Sequence, residues 1–163
     1  MVEFSVEIQN ESEYGIDENR LRQAALTVLD AHEVQPGSEM TIAITDNEAV
    51  ADLNLRFRGV DAPTDVLSFP MDDDMPGDLR YLGDLAIAYP YAKAQAEREK
   101  HALSDSLALL VVHGTLHILG YDHDTPERKA EMWGAQEKAL IALGVPIEIV
   151  PALEDGVHDE PEG

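Results

Sequence analysis

The chain has 163 residues, 44% of them hydrophobic, and no cysteine, which gives one ordinary core and excludes two comfortable domains, disulfides and thiolate metal ligands. Eleven Lys and Arg stand against 33 Asp and Glu, a net charge of −22, so composition by itself speaks against a nucleic-acid partner. No run approaches a membrane span, and Met1-Val2-Glu3-Phe4 lacks the basic-then-apolar order of a leader; a cytoplasmic protein without membrane association is expected.

In chain order, Val2, Phe4, Val6 and Ile8 alternate with polar residues and predict a strand over 2–9. Asp17 caps a helix to about His32, with Leu21, Ala24, Ala25, Val28 and Leu29 on its apolar face; His32 is read as a helix-end cation or hydrogen-bonder with no role in a site. Gln35 to Ser38 is a turn, Met40 to Thr45 a second strand, and Asp46 caps a helix to about Phe57. Val66 to Phe69 forms a short strand between prolines, followed by an acidic loop through about Leu82, a strand over Leu85 to Tyr89 and an amphipathic helix from Tyr91 to about His101. Ser104 is the expected N-cap of a buried helix that Gly120 ends, and Thr125-Pro126-Glu127 opens a last helix that runs to Gly144 and buries Trp133, Leu140 and Leu143. Four strands and about five helices make an α+β fold, a mixed α/β sandwich with the Ser104 helix central; strands joined through a helix predict a parallel component. Residues 1–150 read as one domain, and 151–163 as a disordered tail with five carboxylates and no Lys or Arg.

Three of the six histidines lie within eleven residues, in His113-Gly114-Thr115-Leu116-His117-Ile118-Leu119-Gly120-Tyr121-Asp122-His123. On a helix, His113 and His117 are roughly 40° apart around the axis and about 6 Å along it, close enough for two imidazoles to meet one ion. Gly120 then turns the chain so that His123 returns to the same point. Three neutral imidazoles suit one Zn²⁺ per chain, and three protein ligands leave a fourth position for water, the arrangement of a hydrolytic site. The spacing is that of the metzincin proteases, but Gly114 stands where they carry the glutamate that serves as general base, which argues against an ordinary peptidase.

Among the few basic residues, Arg58 is the candidate for a phosphate clamp, because a guanidinium offers paired donors matched to phosphate oxygens and stays charged. Arg56 and Arg80 are the other cations that could line a small basic cleft on the acidic body. Asp122 and Asp124 are read either as partners orienting imidazoles or as turn and cap residues, and Asp65 and Asp84 have turn and strand-end explanations.

The histidine stretch, with Arg58-Gly59, Pro63-Thr64-Asp65-Val66-Leu67-Ser68-Phe69-Pro70 and Leu82-Gly83-Asp84, resembles the YbeY family of bacterial endoribonucleases over about residues 40 to 145. The resemblance implies a zinc-dependent, single-strand-specific RNase acting in rRNA maturation, at the 3′ end of 16S rRNA, and in ribosome quality control. It implies single-stranded RNA, the small ribosomal subunit and ribosome-associated proteins as partners. It carries the metal ligands onto His113, His117 and His123, and catalytic roles onto Arg58 and His113. The very negative charge and the acidic tail are departures that bear on the breadth of any RNA-contact surface. Two other classes stay open: a metallopeptidase-like zinc hydrolase, and a non-catalytic ribosome assembly factor with structural zinc.

Overall fold

Apolar residues at strand and helix spacing build, among the described residues of the computed structural model, nine elements: β1 (Ser5–Gln9), α1 (Glu18–Ala31), β2 (Ser38–Thr45), α2 (Asn47–Arg58), β3 (Val66–Pro70), β4 (Arg80–Ala88), α3 (Tyr89–Glu99), α4 (Leu103–Ile118) and α5 (Pro126–Leu143). The structure describes residues 4–32, 34, 37–70 and 80–147. Residues 2 and 3 of the expected first strand, Gln35 and Pro36 of the expected turn, the acidic run Asp72-Asp73-Asp74 and the tail 151–163 lie outside them.

The sheet order is β1-β2-β4-β3. β1 and β4 each run parallel to β2, and β3 pairs antiparallel with β4, so the α+β architecture and its parallel component are as expected. Period-two alternation along β4 sorts the two faces. Leu85 and Ile87 join the main core with α1 and α4, whereas Ala86 and Ala88 join a smaller cluster with Val50 of α2 and Leu67 of β3. Helices therefore cover both faces, and each fully buried Leu, Ile or Val contributes about 1.5–3 kcal/mol of transfer free energy. Among the described residues no helix is long and apolar enough to cross a membrane.

Three boundaries differ from the sequence expectation. β4 begins at Arg80, so Leu82, the expected end of the acidic loop, and Gly83 and Asp84, just before the expected strand, are all strand. Packing decides this: a Cβ on Gly83 would lie 2.5 Å from the Phe69 carbonyl oxygen, and Asp84 accepts a hydrogen bond from the Tyr81 hydroxyl. α3 begins at Tyr89, with Pro90 in its first turn, where a missing N–H costs nothing. The Tyr91 N–H donates to the Asn47 side chain at 2.9 Å. α4 is capped by Ala102 without a side-chain hydrogen bond, and Ser104 lies inside the helix, where its hydroxyl accepts from Arg20 of α1 at 3.3 Å. The adjacent Arg20–Asp105 ion pair, at 2.7 Å, ties the start of α4 to α1.

Candidate functional site

α4 is apolar almost all round because it lies among the sheet, α1, α3 and α5, and a helix with neighbours on every side has no polar face. That setting holds His113 at 2% exposure and His117 half-buried one turn on, their rings 4.8 Å apart and nearly perpendicular. α4 stops at Leu119, and Gly120, at φ 106°, takes the left-handed conformation that sends the chain back. His123 thereby reaches ring-centre distances of 5.6 Å from His113 and 5.2 Å from His117. One nitrogen from each of the three rings lies within 4.8 Å of the other two.

Hydrogen bonds orient two of these rings. Nδ1 of His113 is 2.9 Å from Oε1 of Gln136, and Nδ1 of His117 is 3.0 Å from the Tyr121 carbonyl oxygen. Both partners accept, so both Nδ1 atoms carry the proton and each Nε2 keeps a lone pair for a metal. Trp133 of α5 packs edge-on against His113 at 5.9 Å and His123 at 5.6 Å, walling one side of the cluster. Burial, and then the neighbouring His123, push the His117 pKa down to about 4; Arg58 adds to that effect, while Asp122 and the Tyr121 carbonyl oppose it. A ring held neutral is the ligand form of histidine. The donor set and the occupied Nδ1 atoms fit a zinc ion.

Gly114 occupies the position of the metzincin glutamate but faces the sheet. A Cβ there would lie 2.6 Å from a Leu85 methyl and 3.2 Å from the Ser68 hydroxyl, which itself donates to the Gly114 carbonyl at 3.2 Å. A glycine at this position permits the close approach of α4 to the sheet.

Arg58 is the last residue of α2 and is exposed. Gly59 caps the helix at φ 74°, and buried Asn54 donates to the Ala62 carbonyl at 2.8 Å, pinning the return loop beneath the arginine. The guanidinium is near enough to be felt by His117. Asp122 accepts from the His123 N–H at 2.7 Å, a turn contact, and Asp124 forms an exposed ion pair with Arg128 at 3.5 Å at the start of α5. Asp65 is buried and accepts from the Val66 N–H, and Asp84 is engaged by Tyr81.

Gln136, Tyr121 and Trp133 had no site role in the sequence reading. Gln136 had a signal: it lies at helical spacing among Met132, Ala139 and Leu140, a polar residue in an apolar stripe. The Tyr121 contribution is a backbone carbonyl and leaves no mark in side-chain chemistry. His32 is a hydrogen-bonder, as expected, but a specific one: its ring bonds the Val28 carbonyl at 2.8 Å and the Tyr121 hydroxyl at 2.9 Å. A cavity of about 900 Å³ opens between α1 and α5 behind this pair, and none of the three clustered histidines lines it.

Fold and cluster together place the chain among α+β proteins built around a buried helix and turn that bring three imidazoles to one point. A family model described as Endoribonuclease YbeY matches residues 7–144. Proteins named Endoribonuclease YbeY from Thermobifida fusca and Mycolicibacterium smegmatis are 42% and 40% identical over 143 and 145 residues; the matches cover 84% of this chain in each case, and 92% and 82% of the relatives. The chain belongs to the YbeY family. The match begins in β1, well before residue 40, where the sequence resemblance starts. The solution structure of TM1509 from Thermotoga maritima has the same fold, with a TM-score of 0.58 at 24% identity over 95% of this chain and 99% of that one.

Proposed function

We propose that this protein is a zinc-dependent, single-strand-specific endoribonuclease that works in the cytoplasm on rRNA, maturing the 3′ end of 16S rRNA and serving ribosome quality control with the small ribosomal subunit and its associated proteins. The observation that carries the reading is the convergence of three imidazoles beside an exposed arginine, in a chain of the YbeY family. His113, His117 and His123 would hold one zinc ion. Zinc bound there supplies a Lewis acid for a phosphoryl oxygen and lowers the pKa of a water molecule. Gln136 and the Tyr121 carbonyl keep two of the rings in the ligand tautomer. Trp133 and the buried face of α4 exclude bulk water from one side of the site. Arg58 binds the scissile phosphate through paired N–H donors and neutralises charge that builds on its oxygens in the transition state.

The test is metal analysis with cleavage of single-stranded RNA on the purified wild type and His117→Ala side by side. About one zinc per chain and RNA cleavage in the wild type, both lost in a folded variant, are expected. Undiminished metal in the variant overturns the site. Cleavage of casein without cleavage of RNA makes the protein a metallopeptidase, and a variant that unfolds with no activity in the wild type makes the zinc structural.

A further inference from the structure

We propose that Phe57 is a stacking platform for an unpaired nucleobase of the RNA strand, next to the phosphate that Arg58 holds; the inference rests on the endoribonuclease reading and extends it to how the strand is seated. Phe57 keeps 63% of its surface exposed at the end of α2, an unusual position for a large aromatic ring. One edge of it is supported: its ring meets Phe69 of β3 at 5.3 Å and 64°, and Phe69 packs on Val50, Leu67, Ala86 and Ala88. A ring supported along one edge loses little freedom when a base is laid on it, and the Arg56 guanidinium over the ring would have to move aside or stack with the base.

Charge selects the partner. The sequence Arg56-Phe57-Arg58 puts two of only 11 basic residues on either side of the ring in a chain of net charge −22. The Arg56 guanidinium lies 6.0 Å from the Phe57 ring centre and forms an exposed 3.5 Å pair with Asp52, a weak contact that a phosphate can replace. Of the two, Arg56 is the cation placed at the ring itself, where it can meet a phosphate next to a stacked base. A basic ribosomal protein, by contrast, would be repelled by both arginines.

Position links the platform to the candidate metal centre. Phe57 rests on Phe69, and Ser68, the residue before Phe69, donates to the carbonyl of Gly114, the neighbour of His113. β3 is an edge strand of the sheet and lies between α2, which carries Phe57, and α4, which carries His113. A base can stack on Phe57 only when its own face is not covered by a duplex neighbour and it can be splayed out, which gives the protein a physical reason to prefer single strands.

The test measures KM and kcat on a single-stranded oligoribonucleotide for zinc-loaded wild type, Phe57→Ala, Phe57→Leu and Phe57→Trp, with zinc content and thermal melts on the same preparations. Loss of one stacked base raises KM by about 5- to 150-fold in the Ala and Leu variants, with the smaller change in kcat, and Trp returns KM to the wild-type range. Leu keeps apolar bulk on Phe69 and lacks a π-face, so Leu matching the wild type overturns stacking in favour of simple packing. An unchanged KM in Phe57→Ala overturns the platform and leaves the endoribonuclease reading standing. Zinc-loaded wild type that neither binds nor cleaves the oligonucleotide removes that reading and the platform with it.

Discussion

Helices α2 and α4 both end at a glycine turn and both carry a candidate functional residue in their last turn, Arg58 in one and His117 in the other, yet the two ends are built in opposite ways. The α4 end is buried among the sheet and three helices, and its rings are fixed by hydrogen bonds to Gln136 and to the Tyr121 carbonyl. The α2 end stands in solvent, with Arg56, Phe57 and Arg58 all exposed. A metal ion needs ligands held to within about 0.5 Å, which packed elements and hydrogen-bonded rings supply better than side chains in solvent. A polymeric substrate needs long side chains at the surface, where they can follow the strand. The difference separates the tool from the grip.

If that division is right, damage on the α4 side removes the metal, and damage on the α2 side leaves metal and fold intact. The largest effect is expected from His117→Ala, or from a chelator: loss of high-affinity zinc and of all metal-dependent cleavage, read by elemental analysis and an RNA assay. Arg58→Ala should keep zinc and the melting temperature while cleavage falls about a hundred- to a thousandfold, equivalent to about 2.7–4 kcal/mol by analogy with removing an oxyanion donor. Arg58→Lys should recover only part, because an ammonium lacks the planar paired donors. Wild-type rates in folded, zinc-loaded Arg58→Ala would erase the α2 half of the comparison.

Next in size is a pH effect confined to the α4 side. The folded pKa of His117 lies near 4, below the ordinary 6.5, so between these values the unfolded chain binds the proton that the folded chain refuses. Stability of the metal-free protein is therefore fully present above about 6.5 and is lost as pH falls towards 4, by up to about 3 kcal/mol. Thermal melts of chelated protein across that range, with His117→Ala as the reference, measure it; equal slopes for the two proteins would contradict the shift.

Gln136→Leu should leave His113 Nδ1 without its acceptor and weaken zinc binding by about 10- to 100-fold, whereas Gln136→Glu, which keeps an acceptor, should retain most of it. Competition with a coloured chelator distinguishes them. Smallest is Gly114→Ala. Overpacking against fully buried Leu85 costs about 1–3 kcal/mol, and the better helix propensity of alanine returns about 1, so a melt should show a modest net loss.

Legibility in the sequence followed the range of the interactions. Asp17, Asp46 and Thr125 cap their helices as read, since a cap acts on an N–H three residues away. His113, His117 and His123 come together as read because helix periodicity and one glycine turn suffice to place them. The early start of β4, before Leu85, is not legible because it depends on the opposing Phe69 and Pro70, which a local pattern does not contain. Gln136 shows in the sequence as a polar residue in an apolar stripe, but its His113 partner and the reason for Gly114 are each decided by a residue on another element.

The His32–Tyr121 hydrogen bond joins residues 89 apart in the chain. Tyr121 is also the residue whose carbonyl orients His117, so the turn that carries His123 is held twice, once by the end of its own helix and once by α1. A chain in which α1 has not docked keeps the first of these ties and lacks the second.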